Sequence, residues 1–121
     1  MFAPVPSPVE AKHGCDTKTC MQRVAKKQCS QKRVIPCIRR AALHHRVNFR
    51  MLLRKARCES RLNPYAVGFR IHRGLFQFNF PGTWRTTPYR KHNPFRAKWN
   101  ALAAGWMHSS GVNRGGEWQC R

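Results

Sequence analysis

Few side chains in this sequence can carry acid–base chemistry. Of 121 residues only Glu10, Asp16, Glu59 and Glu117 are acidic, against 24 Lys and Arg and six His. Glu10 stands in a proline-rich stretch, Asp16 beside the first cysteine and Glu117 in a glycine-rich tail, whereas Glu59 ends a run of helix-forming residues. The chemistry Glu59 offers is general acid catalysis, the donation of a proton to a leaving oxygen. Read alone, it is more simply a surface carboxylate paired with Arg57 or Arg61. Its sequence neighbours decide between the two readings.

Those neighbours are Ala56-Arg57-Cys58-Glu59-Ser60-Arg61-Leu62-Asn63-Pro64-Tyr65-Ala66, followed by Gly74-Leu75-Phe76-Gln77-Phe78. Together the two stretches resemble the lytic transglycosylase domain. In that family a Glu-Ser pair ends a helix, an Asn-Pro-x-Ala turn follows, and a Gly-Leu-x-Gln stretch returns beside the Glu. The likeness continues through Pro81, Thr83 and Trp84 and then Asn100 to Met107, so it spans residues 47 to 120. The segment Gly68-Phe69-Arg70-Ile71-His72-Arg73 departs from it, since the family often has small and polar residues there, and no Tyr-Asn aromatic motif appears near residues 95 to 105.

The resemblance implies a mainly α, lysozyme-like fold with a sugar-binding groove, and a reaction that cuts the glycosidic bond between N-acetylmuramic acid and N-acetylglucosamine. It makes Glu59 the proton donor and Ser60 a group that orients that carboxyl or the substrate. Gln77 would hydrogen-bond an N-acetyl group near the cleavage point, and Phe76, Phe78 and Tyr65 would form groove wall. Glycosidases normally employ two carboxyl groups. With only Glu59 in a structured setting, a single-carboxylate route fits better: Glu59 protonates the leaving oxygen and then, as carboxylate, takes a proton from the sugar's own 6-hydroxyl. A general acid must hold its proton in a field set by a net charge of +20. Burial against Leu62, Leu75, Phe76 and Phe78 is the expected counterweight.

The six cysteines, at 15, 20, 29, 37, 58 and 120, could be metal ligands or disulfides. Structural zinc sites use pairs two to four residues apart, and only Cys15 and Cys20 come near that spacing. Disulfides, and with them an oxidising, extracellular location, are favoured, and neither metal nor cofactor is expected. The spacings suggest a helical hairpin stapled by Cys20–Cys29 and Cys15–Cys37, with Cys58–Cys120 pinning the tail to the helix that carries Glu59.

The elements that must position Glu59 follow from pattern. Residues 1–14, with Pro4, Pro6 and Pro8, read as an extended arm. Residues 15–46 form a basic, cysteine-rich helical segment, and residues 47–121 the lysozyme-like unit. Within these, Met21 to Gln28 are good helix formers, Cys37 to Glu59 carries partial three-and-four apolar spacing, and Lys98 to Ser109 reads as a further helix. Residues 60–73 read as a loop. Four Trp and seven Phe supply a modest aromatic core, and no stretch is long and apolar enough to span a bilayer.

A charge of +20 repels a second copy, which suggests a monomer, and attracts polyanions without distinguishing among them. Expected partners are peptidoglycan glycan strands and anionic wall polymers, with nucleic acid bound non-specifically. The competing reading is a non-catalytic basic protein, either a nucleic-acid-binding module or a wall-binding secreted or virion component.

Overall fold

The computed structural model describes residues 17–111 and residue 120. The expected arm at 1–14, Cys15, and the tail carboxylate Glu117 lie outside the described residues. Four α-helices account for most of the rest: α1 (Lys18–Gln28), α2 (Val34–His45), α3 (Phe49–Ser60) and α4 (Ala97–Ser110).

Each helix has legible boundaries. Thr17 caps α1 by accepting a hydrogen bond from the Cys20 amide, and Asn48 caps α3 by accepting one from Met51. Helices α2 and α3 stop at Arg46 and Arg61, both in the left-handed region, with φ of 56° and 55°. Pro36 falls in the first turn of α2, where a missing N–H costs nothing. Helix α4 begins without a cap from its own segment. Gln31 supplies one instead, its Oε1 accepting from the Ala97 amide at 2.6 Å while its Nε2 donates to the Phe95 carbonyl.

Burial follows helical periodicity. Helix α2 buries Val34, Cys37, Ile38, Ala41 and Ala42, one stripe of the helix, and α3 buries Leu52 and Ala56. Helix α4 is different, because eight of its residues, from Ala97 through Met107, are buried on nearly every side. Its main helical partner is α2, which also packs against α1 and α3. Small residues make that possible: a side chain on Gly105 would meet the His45 ring at 2.9 Å and the Ala41 carbonyl at 3.1 Å, so α2 and α4 touch nearly backbone to backbone. Helix α2 thus shares one core with α4, across the boundary expected between residues 46 and 47.

A small antiparallel sheet lies between α3 and α4: β1 (Val67–Gly68), β2 (His72–Arg73) and β3 (Phe78–Asn79), in that order. Gly68 pairs with His72, and Arg73 with Phe78. Sequence pattern predicts only loop through residue 73, because strands of two residues carry no alternation long enough to detect.

The disulfides correct part of the expected pairing. Cys29 bonds to Cys37, not to Cys20, and Cys37 is therefore not the partner of Cys15. Cys29 sits at the C-terminal end of α1 while Cys20 lies two and a half turns earlier on the same helix, about 13 Å away at 1.5 Å per residue, too far for a disulfide. The Ser30–Arg33 turn, closed by reciprocal backbone hydrogen bonds, instead brings Cys37 of α2 to Cys29, with 4.6 Å between Cα atoms. Cys20 is also disulfide-bonded. A third bridge joins Cys58 to Cys120. No described helix is long and apolar enough to cross a membrane.

Candidate active site at the end of the third helix

Glu59 and Ser60 form the last turn of α3. Beyond them Arg61 and Leu62 both take left-handed backbone, φ 55° and 63°, which turns the chain sharply away from the helix axis. Asn63 then organises the turn, its Oδ1 accepting from the Tyr65 amide at 2.9 Å and its carbonyl from the Ala66 amide at 3.2 Å.

The return stretch is tied to this helix end by one side chain. Ser60 Oγ lies 2.7 Å from the Leu75 carbonyl and 3.1 Å from that of Ala56. Its proton serves the backbone of the Gly74–Phe78 segment, so Ser60 holds the two halves of the motif together and does not orient the Glu59 carboxyl. From the opposite side Asn100 of α4, fully buried, makes three hydrogen bonds. Its Oδ1 accepts from the Phe76 amide at 2.8 Å, and its Nδ2 donates to the carbonyls of Pro94 at 2.8 Å and Arg73 at 3.1 Å. Gly74, at φ +84°, has no room for a side chain, since a Cβ would fall 2.3 Å from the Pro94 carbonyl and 2.4 Å from Asn100 Nδ2.

The predicted substrate-contacting residues divide. Gln77 is 7% exposed and donates through Nε2 to the carbonyls of Gly74 at 2.9 Å and Ala66 at 3.0 Å. Its amide nitrogen is spent inside its own loop and does not reach out to an N-acetyl group, while its Oε1 lies against Gly68, where a Cβ would be 2.5 Å away. Phe76 and Phe78 are fully buried, with Phe78 packed edge-on to Trp84 at 5.3 Å between ring centres. Both belong to the core and do not form groove wall. So does Leu75, leaving Leu62 as the partly exposed member of the expected apolar setting. Tyr65 is 62% exposed and open to a ligand. Trp84 is core, its indole N–H donating to the His92 carbonyl.

Glu59 itself is half-buried, and its Oε1 accepts a hydrogen bond of 3.1 Å from the Cys120 backbone amide. Its neighbour Cys58 is bridged to the same Cys120, so one residue from the chain end is fixed to the helix covalently and to the carboxylate by a hydrogen bond. Glu59 is the sole acidic side chain among the described residues. Clefts of about 320 Å³, lined in part by Lys32, Arg33 and Leu62, and about 240 Å³, lined in part by Gln31, Lys98 and Trp99, flank the α1–α2 turn. Neither is lined by Glu59.

Two half-buried histidines are held below their ordinary value. His108 of α4 is held at about 4 by burial, and secondarily by the charge of Lys55 one turn before Glu59. His45 is likewise pushed down to about 4 by burial and then by His44, and it shares a hydrogen bond of 2.9 Å with the Tyr89 hydroxyl. Burial raises the Tyr89 phenol, opposed by the charge of Arg40.

Asn100 is the residue that sequence reasoning leaves without a role. A signal for it exists: it is the only polar side chain between Trp99 and Met107, a stretch otherwise made of apolar residues and glycine. Neither family models, nor curated proteins, nor solved structures match the chain.

Proposed function

We propose that this chain cleaves peptidoglycan as a lytic transglycosylase, with Glu59 as its single catalytic carboxyl group. The observation that carries the reading is the union of Glu59-Ser60 at a helix end with the Gly74-Leu75-Phe76-Gln77 return, joined by the Ser60 to Leu75 hydrogen bond. Glu59 protonates the glycosidic oxygen as the bond from the N-acetylmuramic acid C1 breaks. The resulting carboxylate removes the proton of that sugar's 6-hydroxyl, whose oxygen bonds to C1. Glu59 recovers its proton, a 1,6-anhydro end forms, and no water is consumed. Five disulfide-bonded cysteines among the described residues and a charge of +20 fit an enzyme secreted to an anionic wall, from a bacterium or as a phage lysin or virion component.

The charge also favours a second reading, a basic protein that binds wall polymers or nucleic acid without catalysis. One substitution separates them. Glu59→Gln is expected to reduce the clearing of purified cell walls at least ~100-fold while leaving wall binding nearly unchanged. Wild-type protein that releases no muropeptides, or a variant that keeps most of the activity, would exclude the enzymatic reading. Mass spectrometry of the products fixes the reaction type, because an anhydro end is lighter than a reducing end by one water.

A further inference from the structure

Five large apolar side chains are exposed among the described residues, and four of them stand at alternate positions in one short segment: Tyr65, Val67, Phe69 and Ile71. Phe69 is 87% exposed at the tip of the β1–β2 hairpin. The backbone there is unfavourable as well, since Phe69 and Arg70 both take left-handed conformations, φ 49° and 66°, positions normally given to Asn or Gly. Hairpin tips seldom combine solvent-exposed aromatic surface with backbone strain unless the side chain meets something. Only Val67 is in a strand, and Tyr65, Phe69 and Ile71 stand in the flanking turns; what the four share is exposure, while Ala66 and Gly68 between them are half-buried.

We infer that this tip is a membrane-docking element, which inserts Phe69, Val67 and Ile71 into the interfacial region of an anionic lipid bilayer. The chemistry of the patch selects that occupant. Sugar rings and nucleobases are held by stacking on flat aromatic faces, yet Val67 and Ile71 offer branched aliphatic surface. A second copy of the chain would bring two +20 charges together. A lipid interface accepts aliphatic and aromatic side chains alike. Its anionic headgroups complement Arg70 within the tip and Arg61 at the end of α3, both exposed, and no described carboxylate other than Glu59 opposes them. This inference is independent of the proposed catalysis, and Glu59→Gln protein is expected to dock as wild type does.

Vesicle sedimentation and fluorescence test it on the full chain. Wild-type protein is expected to bind phosphatidylcholine vesicles containing phosphatidylglycerol, and not vesicles of phosphatidylcholine alone. Phe69→Ser with Ile71→Ser is expected to weaken that binding at least about tenfold, as loss of two inserted side chains requires, while circular dichroism stays unchanged. Phe69→Trp supplies a direct probe. Relative to wild type, its added emission is expected to move to shorter wavelength on binding and to be quenched by lipids with brominated chains. Undiminished binding of the double variant overturns the inference, because charge alone then accounts for the attraction. So does Phe69→Trp protein whose added emission stays that of exposed indole on bound vesicles. The inference also fails if the double variant loses glycan binding, or a concentration-dependent dimer, in place of lipid binding.

Discussion

Residues 65–71 and residues 74–78 are near neighbours in the chain, and both are rich in large apolar side chains. In the first segment Tyr65, Val67, Phe69 and Ile71 face solvent; in the second Leu75, Phe76 and Phe78 are sealed from it. Composition does not separate them. The difference lies in what satisfies the backbone. The 74–78 segment is bonded from two sides, by Ser60 of α3 and by Asn100 of α4, so its side chains are carried into the space between those helices. The 65–71 segment is bonded to the Asn63 turn, to β2, to Gly74 and Gln77 through the Ala66 carbonyl and to Phe80, none of them in a helix, and its exposed side chains have no helix above them. Apolar surface is buried here where polar groups anchor the backbone first, which makes Asn100 as much a part of the core as Phe76.

That comparison breaks most severely at Asn100. Replacement by Ala leaves the Phe76 amide and the Pro94 and Arg73 carbonyls without their partner in a buried setting, and is expected to cost about 3 kcal/mol or more. Thermal unfolding of Asn100→Ala measures the loss, and the return stretch beside Glu59 is expected to become protease-sensitive. A loss below ~1 kcal/mol would mean that packing, not the amide, holds residues 74–78.

A further effect comes with pH, and it is carried by His45 of α2 and His108 of α4. His45 and His108 are both lowered from 6.5 to about 4 in the folded protein. Between those values the unfolded chain takes up protons that the folded one refuses, so stability is full above about pH 6.5 and falls as pH drops toward 4. The melting temperature is expected to decline across that window, and to decline less in His45→Gln with His108→Gln. Equal declines in the two proteins would assign the effect elsewhere.

The smallest expected change is at the tip and has the opposite sign. Phe69→Asn replaces a residue ill-suited to left-handed backbone by one that tolerates it, with no core contact to lose, and is expected to stabilise the fold by about 0.5 kcal/mol. Chemical denaturation reads the gain. If the variant were destabilised by as much as a core substitution, the tip would be packed and the contrast between the segments would fail.

Much of the helical frame is legible in the sequence. The Met21–Gln28 and Lys98–Ser109 segments fall within α1 and α4 to a few residues, because helix formers, apolar periodicity and the terminal Gly111 are local signals. The position of Glu59 at a helix end is legible for the same reason. What escapes is set at a distance. Phe76 looks like a groove aromatic until Asn100, two dozen residues later, is seen to hold its amide, and Phe78 until Trp84 is seen packed against it. Gln77 looks like a donor for a ligand until Gly68 folds over it. The cysteine pairing is misread because spacing in sequence does not reveal that Cys20 and Cys29 are separated by the length of one rigid helix.

The Cys58–Cys120 bridge has a topological side. It closes a covalent ring from the last turn of α3, through the sheet and α4, to Cys120, with a sequence separation of 62 residues. A protease that nicks the exposed Arg70 would open that ring without releasing either fragment, because the two pieces stay joined through sulfur. Only after reduction would the nicked chain separate into two. Cleavage at this exposed tip thus leaves both pieces in one particle, heavier than the intact chain by a single water, and splits it in two only on a reduced sample.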